Sequence, residues 1–473
     1  MTTHQQKKLD TEQLIAFRDR FAVPLSDAQC DACEFVRPPP EAPEIAYLHA
    51  RRQKLGGYLP ARVAKGKALA TPEAGAFAKF ALDANGKEMS TTVAYVRMVG
   101  ALLKDPVLGK RLVPIIADEA RTFGMADLFR QIGIYSPIGQ LYQPEDSAQL
   151  SYYKESVEGQ ILEEVINEAG ALASWVAAAT SYSAHGEPML PMYIYYSMFG
   201  FQRVGDEIWA AADSRSRGFL LGATAGRTTL SGEGLQHEDG TSHLVASTIP
   251  NCRAYDPCYA YELAVILEDG MKRMLAEEED VFYYVTVMNE SYAMPSMPAG
   301  AREGILRGMH RVREAPAAKV RLLGAGTILN EVLAAAELLE KDWGIAADVH
   351  SVTSFTELRR DGKESDRHSR ADGNPDPACW IRKQLPANGT PVVAASDYVS
   401  SVADLIRPWI ADRYVALGTD GFGRSDTRAN LRRFFEVDRH SVAVAALDAL
   451  RDPRAAEARS RYGIHEVGAP WTR

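Results

Sequence analysis

The sequence has 473 residues, of which 46% are hydrophobic and 24% are charged, and its formal net charge is −9. This length exceeds one ordinary domain and predicts two or three domains, each with its own core. The negative net charge argues against a nucleic-acid-binding protein, because such proteins need a basic face.

No stretch approaches the roughly 18 uninterrupted apolar residues that a membrane-spanning helix requires. The N-terminal segment MTTHQQKKLD also lacks the apolar core of a signal peptide. We therefore expect a cytoplasmic protein without membrane contact. Five cysteines suit a reducing compartment. Cys30 and Cys33 form a C-x-x-C pattern, but no second pair or suitably spaced histidine follows, so unpaired thiols are expected.

The first third of the chain predicts an irregular arm followed by a helix, a strand and a second helix. Residues 1–60 contain only short helical patches and a turn-rich segment. STTVAYVRMVGALLKD at 90–105 predicts a helix with Ser90 as its N-cap. RLVPIIADEA predicts a buried strand that ends in Asp118-Glu119. Helical periodicity and many small residues predict one closely packed helix over 159–182.

Strands and helices alternate in the rest of the chain, which predicts parallel sheets covered on both faces. A change in composition at 294–304 separates two alternating blocks, and the polar stretch 361–378 predicts a surface loop. The fold class is thus α/β, with two consecutive parallel-sheet domains. The predicted boundaries are an N-terminal arm and active-site loop at 1–60, a first domain at 61–314 and a second at 315–473.

Ligands of open α/β sheets collect at the carboxyl ends of the strands, and three polar features follow predicted strands. These features are Asp118-Glu119, the segment from Tyr196 to Phe199, and the loop 232–243, which contains His237, Glu238, Asp239 and His243. By composition alone the loop is either a surface loop or an active-site loop. Glu168 precedes a run of Gly and Ala; a helix glutamate is usually exposed, so its function depends on whether a dry pocket surrounds it.

Three long segments together resemble the homodimer-type E1 component of the pyruvate dehydrogenase complex. They are RLVPIIADEARTFGMADLFRQIGIYSP, MYIYYSMFGFQRVGDEIWAAADSRSRGFLLGATAGRTTLSGEGLQHEDGTSH and LGTDGFGRSDTRANLRRFFEVD. The similarity runs from about residue 4 to about residue 450. The family has a diphosphate-binding, a pyrimidine-binding and a transketolase-like C-terminal domain, and this sequence resembles the last two. The resemblance implies thiamine diphosphate as cofactor, pyruvate as substrate and the dihydrolipoyl acetyltransferase E2 as partner, whose lipoyl group is reductively acetylated.

The resemblance also implies roles for individual residues. Glu168 matches the carboxyl group that hydrogen-bonds ring nitrogen N1′ of the aminopyrimidine, and Phe199 matches the ring that packs on it. Tyr196 and His237 match groups that reach the substrate-derived adduct, where His237 could transfer protons.

The resemblance implies roles for three further residues. His4 matches a histidine on a mobile loop over the pocket. Glu119 matches a carboxylate that links two active centres, and its neighbour Asp118 is expected on the cofactor side.

The family's Mg²⁺ and diphosphate contacts are not in this sequence. Thiamine enzymes hold both with Gly-Asp-Gly and a downstream Asn, because Mg²⁺ is shared between carboxylates and phosphates. No Gly-Asp-Gly occurs, and the nearest strings, at 371–374 and 419–422, lack the downstream Asn pattern. The resemblance therefore places Mg²⁺ on another, diphosphate-binding domain and no metal on these residues.

Three explanations stay open. The chain is the β-like product of a split gene with a separate α-like, diphosphate-binding chain; or a fragment of a longer gene product; or a catalytically inactive paralogue that acts as an assembly or regulatory subunit. The presence of Glu168, His237 and His4 argues against the third explanation. Because the family's active sites lie between chains, we expect a homodimer or a 2:2 assembly with the α-like partner, with the apolar helix at 159–182 in the interface.

Overall fold

The structure is a computed structural model that describes residues 8–54, 57–58, 63–117, 120, 122–144, 153–230, 233–373 and 378–464. The chain divides into two compact units, 1–62 and 63–473. The first unit contains helices α1 (Thr11–Phe21), α2 (Asp27–Asp31) and α3 (Pro43–Lys54). Helix α1 begins with a capping box, in which the Asp10 carboxylate accepts from the Gln13 amide at 2.8 Å. All five cysteines are unpaired, as predicted.

The second unit begins with the elements of its first sheet, of two small two-stranded sheets and of the helices around them. In chain order they are α4 (Ala74–Phe77), α5 (Lys79–Leu82), β1 (Lys87–Met89), α6 (Thr91–Leu102), β2 (Leu112–Ile116), α7 (Ala126–Ile132), β3 (Ile134–Tyr135), β4 (Glu155–Ser156), β5 (Leu162–Glu163), α8 (Glu168–Ala179), α9 (Ser181–His185), β6 (Leu190–Tyr196), α10 (Phe201–Asp213), β7 (Phe219–Ala223), α11 (Ser242–Ala246), β8 (Cys252–Tyr255), α12 (Ala260–Met271), β9 (Phe282–Thr286), β10 (Tyr292–Met294) and α13 (Ala301–Arg307).

The first sheet has the strand order β5-β2-β6-β7-β9-β8, and all six strands are parallel. Its strands are largely buried, as expected of a parallel sheet with helices on both faces. On one face Trp175 of α8 is fully buried, packs edge-on against Phe282 and donates its indole N–H to the Phe219 carbonyl at 3.0 Å. Helix α8 is thereby fixed against the centre of the sheet.

The second sheet starts at residue 310 and is built by the remaining elements. They are β11 (His310–Arg313), β12 (Val320–Gly324), α14 (Ile328–Trp343), β13 (Ala347–Ser351), α15 (Phe355–Asp372), α16 (Trp380–Gln384), β14 (Val392–Ala395), α17 (Ser400–Ala403), β15 (Tyr414–Leu417), α18 (Arg428–Phe434), α19 (Arg439–Leu450) and α20 (Ala455–Tyr462). The strand order is β11-β13-β12-β14-β15, in which β11 is antiparallel and the other four strands are parallel. The predicted fold class is confirmed, with an antiparallel edge strand added.

The prediction of a single helix over 159–182 is wrong in its first half. Residues 162–163 form β5, which pairs with Ile115 and Ile116 at the edge of the first sheet. Helix α8 begins only at Glu168, with the Asn167 side chain as its N-cap. Glu168 is therefore the first residue of a helix rather than an interior one.

The prediction of a surface loop over 361–378 is also wrong for most of its length. Helix α15 continues to Asp372, where Gly373 ends it in a left-handed conformation with a φ of 74°. Charge-rich composition was the reason for the loop prediction, but one face of α15 is buried against the domain. Among the described residues no helix combines the length and apolarity needed to cross a bilayer.

Candidate functional site

Glu168 is a buried carboxylate at the helix end that follows the edge strand β5. The Asn167 side chain accepts from the Gly170 amide at 3.1 Å, and this cap fixes where α8 begins. A carboxylate in the first turn is stabilised by the positive end of the helix dipole. Only 6% of the Glu168 residue surface is exposed, so its carboxylate faces the protein interior.

Arg203 of α10 binds this carboxylate and connects it to an aromatic ring. Its Nη1 donates to Oε1 of Glu168 at 2.6 Å, and its guanidinium carbon lies 4.0 Å from the Phe199 ring centroid. In the part of the chain that the structure describes, the second oxygen, Oε2, makes no hydrogen bond. The sequence did not single out Arg203; its signal is a cation in the first turn of a helix, where the dipole disfavours positive charge.

Tyr196, Phe199 and His237 form an aromatic cluster at the carboxyl ends of β6 and β7. Tyr196 is the last residue of β6, Phe199 lies in the 3₁₀ turn Ser197–Phe199, and His237 lies in the 3₁₀ turn Leu235–His237 after β7. The His237 ring centroid is 4.6 Å from that of Tyr196 and 5.2 Å from that of Phe199. Phe123 packs on the other side of Tyr196, at 5.4 Å.

His237 has one ring nitrogen directed at the protein backbone. Its Nδ1 lies 3.3 Å from the Gly234 carbonyl oxygen and 4.0 Å from a carboxylate oxygen of Glu233. In the neutral ring this arrangement puts the proton on Nδ1 and leaves Nε2 as the acceptor. No hydrogen bond to Nε2 is formed within the described residues.

The other polar residues of the predicted loop are structural. Asp239 is fully buried and its Oδ1 accepts from the amides of Thr241 and Ser242 at 2.9 and 3.1 Å. Glu238 accepts from the Arg424 amide at 2.6 Å, and burial raises the pKa of its carboxyl group to about 7. Burial also lowers the pKa of His243 to about 4. The structure thus separates His237 from its neighbours, which hold the loop in place.

The site predicted from the sequence is assembled in part by the described residues. The structure brings Tyr196, Phe199 and His237 together, and Arg203 links them to Glu168. His4, Asp118 and Glu119 lie outside the described residues. Among the residues that are described, no group of three or more His, Cys, Asp and Glu side chains is arranged to hold a metal ion.

This arrangement suits a planar nitrogen heterocycle. A buried carboxylate can exchange a proton with a ring nitrogen, and an adjacent aromatic ring can stack on the heterocycle. A histidine packed against that aromatic ring can transfer a proton to or from a bound substrate. The site lies at the edge of the sheet where α/β proteins bind ligands.

Two family models match the chain: the pyruvate dehydrogenase E1 component middle domain at residues 70–295, and the transketolase-like C-terminal domain at residues 308–438. The pyruvate dehydrogenase E1 component of Pseudomonas aeruginosa is 55% identical over 473 residues, which cover 98% of this chain and 54% of the relative. That of Escherichia coli K12 is 54% identical over 452 residues, covering 94% and 51%. This chain carries the middle domain of the pyruvate dehydrogenase E1 component, followed by a transketolase-like C-terminal domain. It spans about half the length of the curated relatives it matches.

Solved structures with the same fold are transketolases. For the Campylobacter jejuni enzyme the TM-score is 0.60 and the sequence identity is 16%. The match covers 92% of this chain and 55% of the enzyme. The Leishmania mexicana enzyme has a TM-score of 0.59 at 16% identity, covering 93% and 52%. At this identity the likeness concerns the fold alone, and it agrees with two consecutive α/β domains in this chain.

Proposed function

We propose that this chain supplies the pyrimidine-side half of a thiamine-diphosphate-dependent pyruvate dehydrogenase E1. The observation that carries the proposal is the buried Glu168 carboxylate, joined through Arg203 to the ring of Phe199. The match to the E1 middle domain supports the same cofactor. A carboxylate for proton exchange and an aromatic ring for stacking are the groups that an aminopyrimidine requires.

When bound, thiamine diphosphate supplies the electron sink for decarboxylation of a 2-oxo acid. Glu168 would hold a proton at N1′ of the pyrimidine through Oε2, because Oε1 is already bound by Arg203. Its low exposure strengthens that hydrogen bond, since the local dielectric is low. Phe199 would pack against the pyrimidine ring.

His237 would act on the substrate side of the site. With Nδ1 directed at the Gly234 carbonyl, Nε2 is the nitrogen that accepts a proton from the substrate or returns one to it. Tyr196 packs at 4.6 Å from this ring and restricts its orientation. For His4, Asp118 and Glu119 we propose the roles that the family resemblance implies: a loop histidine over the pocket, a cofactor-side carboxylate and a carboxylate linking two active centres.

The diphosphate and its Mg²⁺ would be held by a diphosphate-binding domain, supplied by an α-like chain or by a longer form of this protein. Pyruvate is the proposed substrate, and the lipoyl group of the acetyltransferase E2 the proposed acceptor. One split-gene transketolase chain, described as an inactive β4 tetramer, is 98% covered by this chain at 16% identity and a TM-score of 0.50. At this identity the likeness concerns the fold alone.

We also propose that α8 contributes to a subunit interface, in a homodimer or a 2:2 assembly. Its outer face carries exposed Ala169 and Ala173, one turn apart. The two residues just before its N-cap, Val165 and Ile166, are 66% and 67% exposed. Small residues permit close helix approach, and exposed adjacent apolar side chains mark interaction surfaces.

The proposal is tested by complementation. The 473-residue chain is combined with the part of the Pseudomonas aeruginosa relative that it does not cover, together with thiamine diphosphate and Mg²⁺. Pyruvate-dependent dye reduction should be absent with either piece alone and present with both. Substantial turnover by the chain alone would contradict the need for a partner domain, and no turnover by a stable complex of the two would favour the alternative, a non-catalytic assembly or regulatory subunit.

A further inference from the structure

Helix α15 of the second domain carries a stripe of cations. Arg359, Lys363, Arg367 and Arg370 follow one another at intervals of four, four and three residues. Residues with this spacing lie on one face of a helix, where like charges repel. A stripe of this kind is disfavoured in the absence of an anion that balances it.

The stripe lines a groove of about 650 Å³. Its charged lining residues are five cations and two carboxylates, so the groove has a formal charge of +3 in a chain whose net charge is −9. They are Arg359, Arg360, Lys363, Arg367, Arg370, Glu364 and Asp366. The volume lies within the range of small-molecule sites.

The cations of the groove differ in whether other groups of the protein already bind them. Arg360 donates to Glu357 at 3.1 Å and to the Cys252 carbonyl at 2.7 Å, so it is anchored to the domain. Arg367 is paired with Glu364 at 2.9 Å. Lys363 and Arg370 are exposed, and neither forms an ion pair with any residue that the structure describes. These two side chains are available to a ligand.

An apolar segment also lines the groove. It contains Pro408 and Trp409. The Trp409 indole N–H donates to Asp366 at 3.0 Å, and a Cβ on Gly362 would lie 2.4 Å from the indole ring, so helix and ring are in direct contact. The groove therefore combines the basic face of α15 with an aromatic residue that is held against the same helix.

We propose that this groove binds a small phosphate-bearing ligand of nucleotide size. Phosphate oxygens would accept hydrogen bonds from Lys363 and Arg370, with Arg359 and Arg367 beside them, because guanidinium groups match phosphate geometry. The ring of the nucleotide would lie toward Pro408 and Trp409. The groove shares no residue with the site around Glu168, so it is a separate, regulatory or auxiliary site.

The confined basic area favours a small ligand over a nucleic acid. A polymer contacts several phosphates along an extended basic surface. Here the excess positive charge lies within one groove of a chain that is acidic overall. Binding of a polymer is the competing outcome of the test.

The test is calorimetric titration of the full 473-residue chain with ATP and, separately, with inorganic pyrophosphate. ATP should bind saturably and more tightly than pyrophosphate, and rising salt should weaken both. The double variant K363Q/R370Q should bind ATP about tenfold more weakly or worse, because two charge-assisted contacts are lost. The matched variant K104Q/K110Q, which removes two exposed lysines elsewhere, should bind ATP as the unmodified chain does.

Three results would overturn the proposal. They are the absence of saturable ATP binding, equal ATP affinity of K363Q/R370Q and the unmodified chain, and tight binding of a single-stranded oligonucleotide without binding of ATP. Equal affinity for ATP and pyrophosphate would contradict a nucleotide as the ligand and would indicate a site for free phosphate. Thermal melting of both variants establishes that the fold is retained.

Discussion

Nη1 of Arg203 lies 2.6 Å from Oε1 of Glu168. Through this ion pair the first turns of α8 and α10 are tied together, and the same guanidinium lies over the ring of Phe199 at 4.0 Å. Arg203 is thus a positioning residue: it orients the carboxylate on which the proposed proton exchange depends.

Replacing Arg203 with Gln should lower turnover of the complemented enzyme about tenfold or more, since the carboxylate loses its fixed orientation. The substitution should lower kcat more than it changes the KM for pyruvate. The conservative variant Arg203→Lys should recover part of the lost turnover. Arg215→Gln is the control, because this exposed arginine makes only a loose ion pair with Asp280 at 3.7 Å. Equal kinetics for the Arg203 and Arg215 variants would contradict a positioning role.

His237→Gln should abolish most pyruvate turnover while cofactor binding is retained. A general acid–base group contributes about 10² to 10⁴-fold, which sets the expected loss. Steady-state kinetics and cofactor titration of the complemented enzyme measure both effects. The control is His185→Gln, which alters an exposed histidine at the end of α9. If the His237 variant retained wild-type turnover, His237 would be only a loop residue.

Ala173→Glu should weaken subunit association. The substitution places a charge on the outer face of α8, where an interface between closely packed helices would leave it unpaired. Light scattering at micromolar concentration, with and without the complementing chain, measures the assembly. Ala456→Glu alters an exposed alanine of α20 and should leave the assembly unchanged. Identical masses for the two variants would contradict the proposed interface.

The buried carboxyl group of Asp256 should make the free energy of unfolding depend on pH. Burial raises the pKa of this carboxyl group to about 7, while the Thr286 hydroxyl donates to Oδ1 at 2.6 Å. Between the unfolded pKa near 4 and the folded pKa near 7, the folded state binds the extra proton. The group therefore lowers the free energy of unfolding progressively as pH rises through this window, by a few kcal/mol in all.

Asp256→Asn should remove that contribution. Urea unfolding at pH 5 and pH 8 should show that the variant loses less stability between the two values than the unmodified chain does. The quantity compared is the change in the free energy of unfolding of each protein between the two pH values. Other titrating groups, such as the buried His243 with its opposite pH dependence, contribute equally to both proteins and cancel. Parallel pH profiles for the two proteins would show that Asp256 does not titrate in this range.

The sequence predicted well those elements whose local signals and tertiary burial agree. Ser90 was expected to cap a helix, and its side chain accepts from the Val93 amide at 3.2 Å at the start of α6. The prediction failed at β5, because a two-residue edge strand carries no periodicity of its own. It exists because Leu162 and Glu163 pair with β2 across a long sequence separation.

The loop predicted at 361–378 failed for a different reason. A strongly polar and charged composition favours a loop, but Ser354 and Glu357 form a helix start signal, in which the Ser354 hydroxyl accepts from the Glu357 amide at 2.9 Å. The contact of Arg203 with Glu168 could not be predicted from the sequence, because only the tertiary structure brings α10 to the start of α8. The proposal that the site contains Glu168, Tyr196, Phe199 and His237 rests on the family resemblance, which names each of them.

The turnover of Glu168→Gln in the complemented enzyme decides whether the Glu168 carboxylate takes part in proton exchange. The amide is nearly isosteric, so fold and cofactor binding should persist, but it cannot exchange a proton with N1′. We expect pyruvate turnover to fall about a hundredfold or more. Glu187→Gln, which alters an exposed carboxylate bound to Arg111 at 2.8 Å, should leave turnover unchanged. Near-wild-type turnover of the Glu168 variant would contradict the proposed function of this site.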